Sequence, residues 1–260
     1  MKTSKYFVVA TLFATLSLGL LSCEDDDKLV NITEPTSRTE EGYKDGIYYN
    51  FHIKSKTASV MYKDDYKYTG EVVIPSTVMY EGEEYSVTSI GSRAFSGSSS
   101  LTSITLPESV KRIGHGAFRD CSSLTSITLP SSLTYIGVSA FAGCSSLTSI
   151  TLPEGVTLID GGTFRNCSSL TSLTLPESVT EIGDATFWDC SSLTSITLPS
   201  SLTYIGVRAF RDCSSLTSVT LPENVTEIAK GAFSGCSSLT SITIPEGVTK
   251  IGFEAFYRCI

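Results

Sequence analysis

Basic residues are scarce in this sequence relative to acidic ones. Its 260 residues include 19 Lys and Arg against 27 Asp and Glu, which leaves a formal net charge of −8 at pH 7. Binding to nucleic acid or to an anionic membrane surface requires concentrated Lys and Arg. The charge balance therefore argues against both of these partner classes.

Histidine is also scarce, since only His52 and His115 occur. Serine and threonine are abundant, but a nucleophilic hydroxyl needs a base beside it. Glutamates recur beside prolines at a constant spacing, which is typical of a solvated edge and not of an acid/base pair: Glu108, Glu154, Glu177, Glu223 and Glu246. The sequence predicts a protein without enzymatic activity and without a cofactor.

Closely spaced cysteine pairs such as Cys-x-x-Cys, a common sign of a metal site, are absent. After Cys23, seven cysteines follow at intervals of 23 residues: Cys121, Cys144, Cys167, Cys190, Cys213, Cys236 and Cys259. Stacked repeats would hold these thiols in one column, where no set of pairs is singled out. We expect a ladder of small buried apolar residues, which is how free Cys usually behaves. Disulfides between neighbouring rungs and a metal site are the alternatives.

Residues 1–22 have the features of a lipoprotein signal peptide. Lys2 and Lys5 precede an apolar run over residues 6–20, and a small residue and Cys23 follow shortly after it. A basic start and a short apolar core are typical of a secretory signal, which is excluded from the fold. The sequence Leu-Leu-Ser-Cys ending at Cys23 resembles the lipobox of bacterial lipoproteins, which implies lipidation of Cys23. The alternative is a plain secreted protein without the lipid.

An acidic run, Glu-Asp-Asp-Asp-Lys, occupies residues 24–28. Such a run is solvated and extended, and we predict an acidic flexible tether over residues 23–42. The run also resembles the export signal of surface lipoproteins of Bacteroides-type bacteria. That resemblance implies a protein anchored by lipid in the outer membrane and facing the cell exterior. The alternative is a simple spacer.

A unit of 23 residues repeats through the rest of the chain. Each copy reads approximately Cys-Ser-Ser-Leu-Thr-Ser-Ile-Thr-Leu-Pro-x-x-Val-Thr-x-Ile-Gly-x-x-Ala-Phe-x-x. Its phenylalanine recurs at Phe95, Phe118, Phe141, Phe164, Phe187, Phe210, Phe233 and Phe256. A fixed period of this length predicts a solenoid of stacked units, in which each copy covers the apolar face of its neighbour.

The pattern within one unit predicts a strand and a return segment. Leu124, Ile127 and Leu129 have the spacing of a leucine-rich repeat strand with one buried face, and Pro130 ends it. The return segment carries Gly137, which we expect to permit a tight turn, as at Gly114, Gly183, Gly206 and Gly252. The predicted fold is a β-rich solenoid, a leucine-rich repeat array of 23-residue units with an N-terminal β cap.

The cap is expected upstream of the regular repeats. Residues 46–53 and 58–62 read as a pair of strands, and an insertion around residues 81–84 reads as a hairpin. We predict an N-terminal β-hairpin cap and modified first repeat over residues 43–87, followed by repeats over residues 88–260. The cap would cover the first apolar face of the stack.

The blocks Leu-Thr-Ser-Ile-Thr-Leu-Pro and Ile-Gly-x-x-Ala-Phe, over residues 88–260, resemble the BspA-like, or treponemal-type, leucine-rich repeats of bacterial surface proteins. The resemblance implies a protein-binding module, an adhesin for extracellular host proteins such as fibronectin or fibrinogen. The Asn ladder of other leucine-rich repeats is largely replaced at the equivalent positions: Ser109, Ser132, Gly155, Ser178, Ser201, Asn224 and Gly247.

Outward-facing hydroxyls on the predicted strands are the first candidate ligand-binding groups. They would form two ladders across a concave sheet and include Ser126, Thr128, Ser149, Thr151, Ser195 and Thr197. Such ladders suit a peptide edge, a glycan or ordered water. Equally, Ser and Thr are ordinary outward strand residues that keep a sheet soluble.

Residues that vary between repeats are the second candidates. Trp and Arg are the commonest binding anchors, and Trp188 would lie beside Arg165 and Arg211 on neighbouring rungs. Tyr135 and Tyr204 are further candidates, and local packing is the alternative role for Trp188. Adhesion to an extracellular protein is the first predicted function; glycan capture and a structural role in the cell envelope are the alternatives. Glycan capture would require aromatic platforms in a groove, and the outward strand columns hold none.

Overall fold

The computed structural model describes residues 38–259. The predicted signal peptide, Cys23 and most of the predicted tether lie outside the described residues. Within this range all regular secondary structure is β-strand. The described residues include no helix long and apolar enough to cross a membrane.

Six strands form the N-terminal cap and the modified first repeat: β1 (Thr39–Lys44), β2 (Ile47–His52), β3 (Thr57–Val60), β4 (Thr69–Val73), β5 (Thr77–Tyr80) and β6 (Glu83–Ile90). Strands β1, β2 and β3 are antiparallel neighbours, and β5 forms an antiparallel hairpin with β6. Strand β3 pairs with β6 in parallel, which joins the hairpins into one sheet. The strand pair and the hairpin expected from the sequence are both present.

The predicted tether over residues 23–42 is wrong at its C-terminal end. Residues from Thr39 onward pair with β2 along the whole of β1. The side chain of Glu40 also accepts a hydrogen bond from the Tyr80 hydroxyl at 3.0 Å. The composition of residues 39–42 is that of a solvated linker. Backbone pairing and the contact with Tyr80 nevertheless hold this segment in the sheet.

Each later coil has a two-residue strand on the return side and, in all but one coil, a strand on the opposite side. The first set is β7 (Ser100–Thr105), β9 (Ser126–Thr128), β12 (Ser172–Thr174), β14 (Ser195–Thr197), β16 (Ser218–Thr220) and β18 (Ser241–Thr243). The return set is β8 (Arg112–Ile113), β10 (Tyr135–Ile136), β11 (Leu158–Ile159), β13 (Glu181–Ile182), β15 (Tyr204–Ile205), β17 (Glu227–Ile228) and β19 (Lys250–Ile251). Pairing is parallel with an offset of one unit, as for Ser172 opposite Ser195. Equivalent residues of neighbouring coils are therefore 23 positions apart in the sequence.

Phenylalanine forms the centre of the stack. Successive rings from Phe95 to Phe256 have centroids 5.1–5.7 Å apart and interplanar angles of 3–11°. Tyr68 of the cap packs against Phe95 with centroids 4.5 Å apart. The inner rings are covered on both faces by rings of other coils, so no coil buries its own Phe alone.

The repeated cysteines form a second internal column. The seven from Cys121 to Cys259 are free thiols, and all but Cys259 are fully buried. Each thiol donates a hydrogen bond to the carbonyl oxygen of a Phe 26 residues earlier, as from Cys190 Sγ to Phe164 O at 3.1 Å. The predicted ladder of small buried residues is confirmed, and each rung also satisfies a carbonyl of the preceding coil.

At most positions of the Asn ladder of other leucine-rich repeats, this chain has serines that hydrogen-bond to the preceding coil. The hydroxyls of Ser109, Ser132, Ser178 and Ser201 each donate to the carbonyl oxygen of a Val 22 residues earlier, at 2.7–2.8 Å. Asn224 differs, since its Nδ2 donates to Ser200 O at 2.9 Å. Although the serine side chain is short, its hydroxyl reaches the neighbouring coil because the coils are close together.

The repeated glycine is needed for close packing between coils. Gly206 does not adopt a left-handed backbone, and a Cβ on it would lie 2.5 Å from the carbonyl carbon of Gly183. The glycine therefore permits close approach of neighbouring return segments. The predicted tight turn is present and begins at this glycine, since Ala209 N donates to Gly206 O at 3.2 Å. Asp160 and Ala229 occupy the equivalent position in two coils.

Replacing Gly206 with alanine is expected to lower the free energy of unfolding by about 3 kcal/mol, the upper end for overpacking. Two of the obstructing atoms, Gly183 C and Asp184 N, belong to backbone, which cannot rotate away as a side chain would. Gly247→Ala is the matched control, since its nearest neighbour, Glu223 O, would lie at an ordinary 3.4 Å. Urea unfolding followed by circular dichroism measures both. Equal losses for the two variants would contradict the proposed role of Gly206.

Candidate ligand-binding surfaces

The outer face of the longer strands carries the predicted columns of hydroxyl groups. Ser126 and Thr128 are exposed, while Ile127 between them is buried. The same holds for Ser195 and Thr197 on β14. Ser149 and Thr151 are also exposed. All six side chains lie on the solvent side, and their role in binding stays a prediction.

This face is not the continuous sheet expected from the sequence. Its strands pair in three separate groups, β4 with β7 and β9, β12 with β14, and β16 with β18. Residues 149–151 form no strand at all. Between β14 and β16 a single backbone bond, from Thr217 N to Thr194 O at 3.4 Å, precedes the strands, and no pairing continues along them. The expectation of one continuous sheet is wrong, because pairing is interrupted at residues 149–151 and between β14 and β16.

A cleft of about 680 Å³ lies where β14 and β16 are unpaired. Hydroxyls line it on both coils, from Ser195, Thr197, Ser218 and Thr220. Its apolar lining comes from Ile196, Leu198 and Leu221, and its carboxylates are Glu177 and Glu223. No Lys or Arg is among the described residues that line it. The cleft combines hydroxyl groups, an apolar surface and negative charge.

One carboxylate of the cleft is held in place by the next coil. Glu177 Oε2 accepts hydrogen bonds from Ser200 N at 3.1 Å and from Ser200 Oγ at 2.9 Å. Glu223 accepts none from the described side chains or backbone. The cleft therefore has one fixed carboxylate and one that is available to a ligand.

Trp188, Arg165 and Arg211 lie together, as the repeat spacing predicts. The guanidinium carbon of Arg165 is 4.3 Å from the centroid of the indole, and that of Arg211 is 5.0 Å from it. The indole Nε1 donates to Asp212 Oδ2 at 3.1 Å, and Arg211 Nε lies 3.2 Å from the same oxygen. The indole thus already has two cation–π contacts and a partner for its N–H, which supports the packing role left open for it.

The two candidate tyrosines lie on the return side, away from the cleft. Tyr135 has the guanidinium of Arg112 at 4.2 Å over its ring, and its hydroxyl is 3.4 Å from His115 Nε2. Tyr204 is 41% exposed. The structure does not bring these tyrosines to the hydroxyl columns on the strand face.

The two histidines have different hydrogen-bond partners in the described part of the chain. His52 Nε2 is 2.9 Å from Ser59 Oγ, which is 2.7 Å from Ser89 Oγ. His115 Nδ1 accepts a hydrogen bond from Val138 N at 3.1 Å. No hydrogen bond joins either imidazole to a carboxylate within residues 38–259. Over the same range no group of three His, Cys, Asp or Glu side chains is placed to hold a metal.

Two surfaces of the structure were not predicted from the sequence. The cleft could not be predicted, because coil residues 190–199 are identical to residues 121–130. A cluster of tyrosines on the cap, at Tyr43, Tyr48 and Tyr66, was also missed. The signal for that cluster was the high tyrosine content upstream of the repeats.

The repeats match a defined protein family. Six copies of the BspA type leucine rich repeat region align with the chain, over residues 83–192 and 140–260. The chain belongs to the BspA-type leucine-rich repeat family. The resemblance drawn from the repeat blocks and the predicted solenoid are thereby confirmed. No protein of curated function matches the chain.

Solved structures similar to this BspA-type protein come from several bacteria. The leucine rich repeat protein of Treponema pallidum is 31% identical with a TM-score of 0.56, covering 85% of this chain and 91% of that one. A leucine-rich repeat protein of Eubacterium ventriosum is 25% identical with a TM-score of 0.59, covering 84% of this chain and 50% of that one. A leucine rich cell surface protein of Faecalibacterium prausnitzii is 27% identical with a TM-score of 0.47, covering 85% and 86%. Family and fold together indicate a bacterial protein-interaction module.

Proposed function

We propose that this BspA-type protein is a lipid-anchored surface protein that binds a segment of an extracellular protein on its strand face. The observation that carries the proposal is the cleft between β14 and β16. Rows of exposed hydroxyls from both strands flank the opening. Hydroxyl groups hydrogen-bond to an extended peptide, whose own backbone carries donors and acceptors.

The charge of the cleft favours a partner segment with basic side chains. Glu177 and Glu223 line it without a compensating Lys or Arg, and the chain as a whole carries a net charge of −8. A solvent-exposed pair of a Lys ammonium and a carboxylate contributes up to about 1 kcal/mol. The alkyl stem of the same Lys would pack on Leu198 and Leu221.

Repeated coils increase the strength of such an interaction. Each coil presents equivalent hydroxyls one step along the stack, so a partner with several suitable segments engages more than one coil. Linked weak contacts raise overall affinity by effective concentration. Fibronectin and fibrinogen, the partners implied by the family resemblance, are therefore the first proteins to test.

Filling the cleft is expected to weaken binding of the partner by at least tenfold. The test uses residues 24–260, without the lipid, against fibronectin, fibrinogen, other matrix proteins and complex glycans in surface plasmon resonance. Ser218→Trp blocks the cleft with a large side chain on an exposed strand position. Ser241→Trp is the matched control on β18, which pairs with β16; Ser241 is not among the residues that line this cleft.

The binding results of these variants identify which candidate surface binds the partner. Saturable binding to a protein that is lost in Ser218→Trp and kept in Ser241→Trp supports the proposal. Loss on replacing Trp188 or Arg165 instead would move the site to the Trp–Arg stack. Absence of saturable binding to any protein would contradict the adhesin role and favour a structural role in the cell envelope.

The lipid anchor is proposed from the sequence around Cys23, which lies outside the described residues. We expect Cys23→Ala to abolish incorporation of labelled palmitate and to release the protein from the membrane fraction. Protease accessibility on intact cells tests outward display. Retention of label in the variant would contradict lipidation at this residue.

A further inference from the structure

One face of the cap sheet is polar and aromatic. Along β2, the buried residues Ile47, Tyr49 and Phe51 alternate with Tyr48, Asn50 and His52, which are partly exposed. Cross-strand pairing sets Tyr43 opposite Tyr48 and Glu41 opposite Asn50 on β1. The outer face therefore carries an aromatic row next to a row of hydrogen-bonding groups.

The aromatic row is a three-ring cluster. The centroids of Tyr43 and Tyr48 are 4.6 Å apart, and those of Tyr48 and Tyr66 are 5.1 Å apart. Tyr43 is 55% exposed, so its ring is available to a ligand. Lys63 Nζ lies 5.9 Å from the centroid of Tyr48 and 3.5 Å from Glu41 Oε2. The positive and negative charges beside the rings thus compensate each other.

The polar row contains an amide with unused hydrogen-bonding capacity. Asn50 Oδ1 is buried and accepts no hydrogen bond, and it is the one such side-chain atom among the described residues. On β3, Ser59 lies opposite Asn50, and its hydroxyl is 2.9 Å from His52 Nε2 and 2.7 Å from Ser89 Oγ. The partly exposed amide of Asn50, next to hydroxyls and an imidazole, suits a ligand rich in hydroxyl groups once its Oδ1 turns to the surface.

A small cavity extends the face beyond the tyrosines. It has a volume of about 230 Å³, reaches Tyr66, and is lined by Asp45, Lys67, Thr69 and Glu71. Carboxylates, an ammonium and a hydroxyl are groups that hydrogen-bond to sugar hydroxyls. Tyr66 therefore belongs both to the aromatic cluster and to the lining of this cavity.

We infer that this face of the cap binds a neutral oligosaccharide. Tyrosine rings present a negative face to the C–H groups of a pyranose, and the amide, hydroxyl and carboxylate groups on either side take its hydroxyls. Neutral sugars are favoured because the Glu41–Lys63 pair leaves no excess positive charge for an acidic sugar. This site is separate from the cleft on the strand face and does not depend on the adhesin proposal.

Nuclear magnetic resonance titration of the ¹⁵N-labelled protein, residues 24–260, tests the inference. The probes are neutral hexasaccharides of glucose, mannose, galactose, xylose and N-acetylglucosamine, with a hyaluronan hexasaccharide as the acidic comparison. We expect at least one neutral probe to shift the amide signals of residues 41–50 and 59–71. Tyr43→Ala should weaken its binding at least tenfold, whereas Tyr43→Phe should retain most of it.

Asn50→Ala distinguishes a binding role from a structural one. Asn50 donates and accepts no side-chain hydrogen bond in the fold, so the variant should keep or raise the thermal midpoint while binding of the probe falls at least threefold. Tyr257→Ala, at a 52% exposed tyrosine far along the sequence, and Ser218→Trp should bind the probe normally. Lack of any neutral probe binding at 10 mM, binding of hyaluronan alone, or unchanged binding in Tyr43→Ala would overturn the inference.

Discussion

Raising the pH from 8 to 9.5 is expected to lower the free energy of unfolding by roughly 6 kcal/mol. Burial raises the pKa of Cys121 and Cys236 to about 12. Burial also raises the pKa of the four thiols between them well above the usual value. Unfolded thiols ionise with a pKa of about 8.5. Each of the six buried thiols therefore costs about 1 kcal/mol of stability over this interval.

The free energy of unfolding falls with rising pH because the pKa of these thiols is raised in the folded protein. A thiol whose folded pKa lies above its unfolded pKa contributes its full stability below about pH 8.5. That contribution is lost as the pH rises toward the folded value near 12, because only the unfolded chain releases the proton. The summed loss is comparable with the total stability of a typical domain, so unfolding in mild alkali is expected.

Urea unfolding at several pH values with a reductant present measures this effect. The window below pH 9.5 avoids most tyrosine ionisation, which occurs near pH 10. A double variant, Cys167→Ala with Cys190→Ala, should be less stable at pH 7 and show a pH dependence about one third smaller, since two of six buried thiols are removed. An unchanged urea midpoint between pH 8 and pH 9.5 would contradict the prediction.

Replacing Phe164 with alanine is expected to lower the free energy of unfolding by about 3–5 kcal/mol, the usual range for a buried Phe. The Phe164 ring is fully buried and stacks on Phe141 at 5.7 Å and on Phe187 at 5.6 Å. Its loss also uncovers both neighbouring rings. Because each coil contacts only its neighbours, the variant should weaken coupling between the coils on either side.

Phe253→Ala is the matched control, because this ring is 71% exposed and lies outside the Phe column. We expect it to change the free energy of unfolding by no more than about 0.5 kcal/mol. Hydrogen exchange across the chain would show whether the coils before and after Phe164 open separately. A loss below about 1 kcal/mol for Phe164→Ala would contradict the importance assigned to the ring column.

The identical segments 121–130 and 190–199 show where sequence reasoning reaches its limit. Their strands, β9 and β14, have the same burial pattern. Leu129 is nevertheless buried, while its counterpart Leu198 is partly exposed in the cleft. The difference arises from the next coil, since local sequence sets which way a side chain points and the neighbouring coil sets how much of it is covered.

The cap was less predictable than the repeats because it has no period. Its strands could be located from alternation and turn residues. The grouping of Tyr43, Tyr48 and Tyr66 depends on a hairpin and a loop that meet only in the folded sheet. The hydroxyl contact between Ser59 and Ser89 likewise joins residues 30 positions apart.

The sequence by itself determined the repeat length, the family, the buried Phe and Cys columns and the outward direction of the strand hydroxyls. These follow from periodicity, because equal spacing places equivalent residues at equivalent positions in every coil. Only the tertiary structure decided where strand pairing fails, which glycine is needed for close approach and which cap residues meet. Those features depend on distances of a few tenths of an ångström between segments remote in sequence, and periodicity does not encode such distances.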